Sequence, residues 1–147
     1  SSSDSLYIYE RAKLIKTISI KSKHDKGNFA PFDLTRIMEQ KYIFHYLTCQ
    51  PCYVPIVYNF HKNQYYRAYK KQNNYFNDIN KKIETDNMNW SIIILNSKFE
   101  IVDEIEVNPQ KYPFVPVANI IPTKNGFLLI KNNQNPTSVC YDEIKYD

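Results

Sequence analysis

Two segments of the chain share one arrangement of apolar and polar positions. Residues 6–20 and 92–107 each contain a short apolar run, a polar turn and a longer run in which apolar and polar residues alternate. The matching apolar positions of the two longer runs are Leu14, Ile18 and Ile20 in the first and Ile101, Ile105 and Val107 in the second. Since a single hairpin cannot bury its apolar face by itself, the repetition predicts a modular β architecture.

The alternation elsewhere extends this prediction to the rest of the chain. Residues 54–107 indicate a four-stranded meander, because alternating runs flank polar turns and residues 90–95 form an almost continuous apolar strand. The hairpin of residues 6–20 precedes this meander. A partial meander over 114–147 follows it, with a hairpin turn at Asn125–Gly126.

The predicted fold class is therefore all-β, with antiparallel four-stranded meanders and little helix. Residues 1–147 form a single β-rich unit. Modules of about 40–50 residues that repeat in this way are typical of β-propeller blades, so the chain corresponds to two to three blades of a partial propeller. Residues 22–52 and 72–89 are interpreted as insertions that enlarge one blade; two ordinary blades are the alternative.

The alternation over 99–107 assigns the acidic residues of this strand to a solvated face. Phe99, Ile101, Ile105 and Val107 are predicted on one face, with Glu100, Glu104 and Glu106 on the other. Asp103 falls on the apolar side, so we expect it to reach a sheet edge or a partner. Among the insertions, residues 32–40 suit one or two helical turns with Asp33 as the N-cap. Residues 42–47 fit either a strand or a buried loop.

Composition narrows the function classes. The chain has only two glycines, so asparagines are expected to supply turn conformations, including the left-handed one. The net charge of +4 is scattered among acidic residues without an arginine cluster, which argues against nucleic-acid binding. No apolar run reaches the roughly 18 residues of a membrane span. The polar opening SSSDS shows no signal peptide and fits a mature N-terminus, a trimmed start or the interior of a longer protein.

Two histidines and two cysteines form the sharpest candidate for a metal site. Zinc prefers four such ligands, and His45, Cys49, Cys52 and His61 supply them, although a zinc ribbon would show two tight pairs rather than one. In a second interpretation the cysteines are small buried apolar residues. In a third they are oxidised: Cys49 and Cys52 bridge each other, or one pairs with Cys140.

An aromatic segment is the candidate ligand-binding surface. Tyr65, Tyr66, Arg67 and Trp90 combine flat rings with a guanidinium that could hold a carboxylate or phosphate. The alternative is structural: the rings pack on the sheet, and Arg67 pairs with Asp103 or Glu104 to hold adjacent strands in register.

Catalytic patterns are absent from the sequence. No pair of carboxylates is positioned as a glycosidase requires, and two distant glycines exclude both a phosphate-binding glycine-rich loop and a Gly-x-Ser-x-Gly motif. These observations predict no catalytic residues and no cofactor.

The run IVYNFHKNQYYR at 56–67, followed by NWSIIILNSKFEIVDEIEV at 89–107, resembles the uncharacterised TolB-like six-bladed β-propeller lipoproteins of gut bacteria. The residues that match are Tyr58, Tyr65, Tyr66, Arg67, Trp90, Ser91 and Phe99; Asn59 and Asn96 stand where that family has aspartate. The resemblance covers mainly residues 50–130. It implies the C-terminal part of a propeller and a location in the cell envelope, the periplasm or outside the cell.

The function expected from the sequence is a non-enzymatic binding or scaffold module with a protein or glycan ligand. Self-association through exposed blade faces is a further expectation. The alternatives are a small zinc protein built on the Cys49/Cys52 cluster and a hydrolase completed by missing blades. In the hydrolase, Tyr66 or Arg67 should be accessible to solvent.

Overall fold

The computed structural model describes residues 4–27, 31–73, 84, 88–115, 120–132 and 137–146. Strands dominate this part of the chain and all pair antiparallel, which confirms the all-β class. The strands are β1 (Ser5–Glu10), β2 (Lys13–Ser19), β3 (Cys52–Tyr53), β4 (Val57–Asn59), β5 (Gln64–Lys70), β6 (Trp90–Leu95), β7 (Ile101–Val107), β8 (Ile121–Pro122), β9 (Gly126–Lys131) and β10 (Cys140–Lys145). A 3₁₀ turn, Leu34–Arg36, precedes one α-helix, α1 (Gln40–Cys49).

The described strands form three sheets. The central sheet contains β3 to β7: β4, β5, β6 and β7 are successive neighbours, and β3 pairs with β5 on the same edge as β4. The N-terminal hairpin pairs β1 with β2, and the C-terminal sheet has the order β10-β9-β8. Every residue of β6 is buried, as its continuous apolar run predicts for a strand covered on both faces.

The two faces of the central sheet pack against different parts of the chain. The first, here called the Ile92 face, carries Tyr66, Ala68, Ile92 and Ile94 and packs against Phe114, Phe127 and Leu129. The second, the Ile93 face, carries Tyr69, Ile93 and Leu95 and packs against Ile20, with Leu6 and Ile18 of the N-terminal hairpin. The three sheets therefore stack face to face, with the central sheet in the middle.

The N-terminal hairpin and the β6–β7 hairpin share one irregularity. Tyr9 pairs with Leu14 and Ile8 with Lys16, so Ile15 is a bulge. In the second hairpin Val102 lies between the paired residues Asp103 and Ile101 and is the corresponding bulge. The sequence alignment pairs Ile15 with Val102. The turns differ: Arg11 and Ala12 both have positive φ angles, whereas residues 96–100 form a longer loop.

The bulge at Val102 corrects the predicted faces of β7. Ile101 pairs with Leu95 and therefore lies on the Ile93 face, whereas Asp103 and Ile105 lie on the other. Glu104 is also on the Ile93 face, yet it is only 7% exposed, so its predicted solvation is wrong. Asp103 is exposed on an edge strand, as expected.

Helix α1 replaces the strand or buried loop predicted for residues 42–47. Its N-cap, Glu39, makes no side-chain capping bond, so the usual start signal is missing. The buried side is marked instead by helical spacing: His45 and Cys49 are one turn apart. Asp33 does cap the preceding 3₁₀ turn, since its carboxylate accepts from Thr35 N at 3.0 Å. Most of the predicted insertion 72–89 lies outside the described residues.

Asparagines shape the turns mainly through their side chains. Asn63 has a φ of +53°, but no other described asparagine has a positive φ. Asn59, Asn96 and Asn108 instead accept a bond from the backbone N–H two residues ahead, at 2.9–3.0 Å. This Asx-turn geometry accounts for turn formation in a chain with only two glycines.

Candidate functional site

The four candidate metal ligands are not brought together. His45 and Cys49 are neighbours on α1, with Nε2 and Sγ 3.6 Å apart. Cys52 lies on β3 opposite Lys70, and His61 lies in the β4–β5 turn with its ring 3.8 Å from that of Phe60. Within the described part of the chain, no three His, Cys, Asp or Glu side chains are grouped to hold a metal ion. The described arrangement therefore does not group these four residues as a zinc site.

Cys49 is buried and Cys52 is partly buried. Neither Cys49 nor Cys52 forms a disulfide. Burial raises the pKa of both thiols, so both remain protonated near neutral pH. This environment fits the interpretation of the cysteines as small apolar residues.

Lys70 joins the central sheet to the end of α1. Its Nζ donates to the carbonyl oxygens of Thr48 at 2.5 Å and Leu47 at 3.4 Å, although the side chain comes from the buried Ile92 face. A lysine at these carbonyls satisfies acceptors that the helix leaves open and complements its dipole. Burial lowers the pKa of the Lys70 ammonium.

Replacing Lys70 tests this connection. We expect Lys70→Met to lower the free energy of unfolding by about 1–3 kcal/mol, because the helix-terminal carbonyls lose a charged donor. Since the folded-state pKa lies below the ordinary value of 10.5, the stability contributed by Lys70 increases as the pH rises toward that value. In urea unfolding, the difference in free energy of unfolding between wild type and Lys70→Met should therefore increase from pH 7 to pH 10. Lys124→Met, at an exposed position, is the control. A free-energy difference that decreases with pH argues against a buried ammonium at Lys70.

The residues of the predicted ligand surface lie largely in the interior. Tyr66 and Trp90 are buried in the Ile92 face: Tyr66 packs edge-on against Phe127, and Trp90 Nε1 donates to Tyr112 O at 2.9 Å. Arg67 is on the opposite face and 6% exposed. Tyr65 is half-buried and stacks on Phe99. The four residues are thus divided between two faces and do not form one open surface.

Arg67 anchors the N-terminal segment to the central sheet. Its Nη1 donates to Asp4 O at 2.8 Å and its Nε to Val54 O at 3.2 Å. The guanidinium also lies 4.6 Å from the centre of the Tyr53 ring. Burial lowers its pKa. The contacts support a structural role for Arg67, but these acceptors are the backbone oxygens of Asp4 and Val54 and not the predicted carboxylate of Asp103 or Glu104.

A buried polar cluster around Glu104 was not predicted. Its Oε1 accepts from Ser22 Oγ and Ser91 Oγ, each at 2.5 Å, and its Oε2 accepts from Lys23 N at 2.8 Å. The polar–apolar alternation of β7 gave no sign of it, because residues 20–25 cover this face from a distant part of the sequence. The one signal available was Ser91, the polar residue within an otherwise apolar strand.

The outer face of the N-terminal hairpin is apolar. Tyr7, Tyr9 and Leu14 lie on the face opposite Leu6 and Ile18, which pack inward. Each of the three is about half exposed. A hairpin at the end of a soluble array would ordinarily present polar residues here.

The outer face of the C-terminal sheet has the same character. Ile121, Leu128, Ile130 and Tyr141 share the side opposite Phe127 and Leu129. Ile121 is 40% and Tyr141 43% exposed. A third exposed apolar group surrounds α1 and comprises Leu34, Ile37, Met38, Phe44 and Leu47. None of the described helices is long and apolar enough to cross a membrane.

The fold of this chain is similar to that of a protein of known structure. No family model matches the chain, and no curated protein matches it. The crystal structure of a member of the DUF4221 family from Bacteroides vulgatus aligns with a TM-score of 0.66 and 22% sequence identity, over 99% of this chain and 41% of that one. At this identity the likeness shows the fold. The chain spans less than half the length of the protein it matches.

Proposed function

We propose that this chain is a non-enzymatic binding or scaffold module of β-propeller type, and that its two terminal sheet faces bind further antiparallel β-sheets. The observation that carries the proposal is the pair of apolar outer faces, centred on Tyr9 in the N-terminal hairpin and on Tyr141 in the C-terminal sheet. Both faces of the central sheet are already covered by neighbouring sheets. Each terminal face combines exposed apolar side chains with polar ones, Thr17 on the N-terminal face and Glu143 on the C-terminal face, and the apolar part of each is suited to packing against a further sheet.

The structural neighbour supports this proposal by its length. A chain more than twice as long contains this fold as a part, so such a fold occurs together with further chain. A location in the cell envelope is part of the proposal, and it is supported by the resemblance to TolB-like six-bladed lipoproteins and by the Bacteroides origin of the neighbour.

The described residues favour binding over catalysis. A hydrolase completed by further blades would expose Tyr66 or Arg67, but these are 0% and 6% exposed. Their polar atoms bond to other parts of the fold. The buried polar groups of the Glu104 cluster are likewise occupied by donors from the chain itself.

A screen of glycans and purified envelope proteins, assayed for both binding and turnover, tests the proposal. We expect a protein ligand to bind without turnover, and Tyr141→Glu to weaken binding about tenfold or more, because a charge enters the apolar contact. Phe44→Glu, an equally drastic change of an exposed aromatic residue on α1, is the matched control and should bind normally. Turnover of any ligand, or equal binding by both variants, argues against the proposal.

A further inference from the structure

Residues 20–25, here called the latch segment, lie across the Ile93 face in a manner unlike the rest of the fold. They are not part of a strand, and they form no ladder with the described strands of the central sheet. The backbone N–H of Ile20 bonds instead to Asp4 O at 2.9 Å. The latch segment is therefore held on the sheet chiefly through side chains, as a bound peptide would be.

An apolar anchor begins the latch segment. Ile20 is completely buried among Tyr69, Ile93 and Leu95. The neighbouring Lys21 is exposed. One deeply buried side chain next to an exposed one is the pattern expected when a peptide inserts an anchor into a prepared pocket.

A carboxylate binds the middle of the segment. The Glu104 carboxylate accepts one hydrogen bond from the Ser22 hydroxyl and another from the backbone N–H of Lys23. Ser91 donates to the same carboxylate and orients it from the neighbouring strand. In addition, Lys23 Nζ donates to Glu104 O at 3.0 Å. Charge-assisted bonds of this kind are both strong and directional.

A tyrosine hydroxyl joins the middle of the segment to its end. Tyr53 Oη accepts from Ser22 N at 2.9 Å and donates to Asp25 Oδ2 at 2.8 Å. Thus Ile20 is bound by an apolar pocket. Ser22 is bound by the Glu104 carboxylate and the Tyr53 hydroxyl. Asp25 accepts a hydrogen bond from the same Tyr53 hydroxyl. The spacing corresponds to the pattern apolar-x-Ser-x-x-Asp.

We propose that the face formed by Tyr53, Ser91, Ile93 and Glu104 is a peptide-binding site, occupied in this chain by its own latch segment, and that it accepts the same segment supplied in trans. Occupation in cis is intramolecular and therefore has a high effective concentration, so it excludes a free peptide until it is weakened. The site then selects peptides with the pattern of Ile20, Ser22 and Asp25.

A competition experiment with the full chain tests the proposal. The probe is a fluorescent peptide of residues 17–27, TISIKSKHDKG, measured by anisotropy. Ser22→Ala weakens the segment in cis and leaves the site intact. We expect this variant to bind the peptide about tenfold or more tightly than wild type, and Glu104→Gln in the same background to reduce that binding about tenfold. Glu100→Gln, which changes an exposed carboxylate in the loop between β6 and β7, is the matched control.

Hydrogen exchange of the backbone amides at positions 22 and 23 is measured in the same proteins. Faster exchange in the Ser22→Ala chain, with tight peptide binding that Glu104→Gln removes, supports the site. Faster exchange without binding overturns it, as does binding that survives Glu104→Gln. Unchanged exchange also overturns it, because Ser22 then does not hold the segment. Ile20→Ala is a second variant that weakens the latch segment in cis, and its peptide binding and hydrogen exchange are interpreted in the same way.

Discussion

Asn59→Asp should destabilise the protein by about 3–5 kcal/mol at pH 7, although it exchanges one amide nitrogen for an oxygen. Asn59 is fully buried where the central and C-terminal sheets meet. Its Nδ2 donates to the backbone oxygens of Thr123 at 3.0 Å and Gly126 at 3.1 Å. An aspartate would place a buried negative charge against these two acceptors. The change also removes the Nδ2 amide group that donates a hydrogen bond to Tyr66 Oη at 3.1 Å.

The pH dependence of this variant identifies the cause. Burial and two facing carbonyls would hold the pKa of an aspartate at position 59 above its ordinary value, because both disfavour the charged form. The destabilisation should therefore be greatest above that pKa and should decrease as the pH falls toward 4, where the carboxyl becomes protonated. Urea unfolding at pH 7 and pH 4.5 measures both values. Asn108→Asp is the control, since exposed Asn108 uses Oδ1 as an acceptor, a role that aspartate retains.

An Asn59→Asp protein as stable as Asn108→Asp would show that the two sheets do not meet at Asn59. The comparison also bears on the sequence resemblance, since aspartate is the usual residue at this position in that family. Here the neighbouring carbonyls require a donor.

Gly126→Ala should cost about 3 kcal/mol or more. Gly126 begins β9 and pairs with Lys145 of β10. A Cβ at this position would overlap the carbonyl oxygen of Ile144 and lie 3.0 Å from the backbone nitrogen of Tyr146. Since both contacts are backbone atoms, in β10 and directly after it, no side chain can rotate away, and β10 must separate from β9.

Thermal or urea unfolding measures this cost, with Gly27→Ala as the control. A Cβ on Gly27 would meet only the end of the Lys21 side chain, at 3.8 Å. Its φ of +70° still makes alanine unfavourable, by about 1–2 kcal/mol. If the two variants lose equal stability, β9 and β10 are not as close at Gly126 as the structure places them.

The sequence was informative about strands because strand burial follows local alternation. The apolar run of β6 and the matched positions Ile18 and Ile105 identified buried positions of stacked sheets. The same reasoning failed at β7, where one bulge residue, Val102, shifts Ile101 to the other face. Bulges depend on the pairing partner, and no pattern within residues 99–107 specifies one.

The candidate sites were harder to predict because they depend on contacts between distant segments. Ser22 and Glu104 are 82 residues apart in sequence, so a local reading could only assign Glu104 to solvent. Tyr66 and Arg67 were predicted on a ligand surface but are buried, because strand alternation alone cannot tell whether a face is covered. Helix α1 lacked a start signal, although the spacing of His45 and Cys49 was available as evidence for a helix.

Sedimentation velocity over a concentration series tests most directly whether the terminal faces are surfaces for further sheets. For the wild type we expect reversible association above the 17.5 kDa monomer, with Tyr141→Glu shifting the equilibrium toward monomer and Phe44→Glu leaving it unchanged. A wild-type protein that remains a monomer at every concentration would contradict the account, because the apolar faces around Tyr9 and Tyr141 would then be stable in water without a partner.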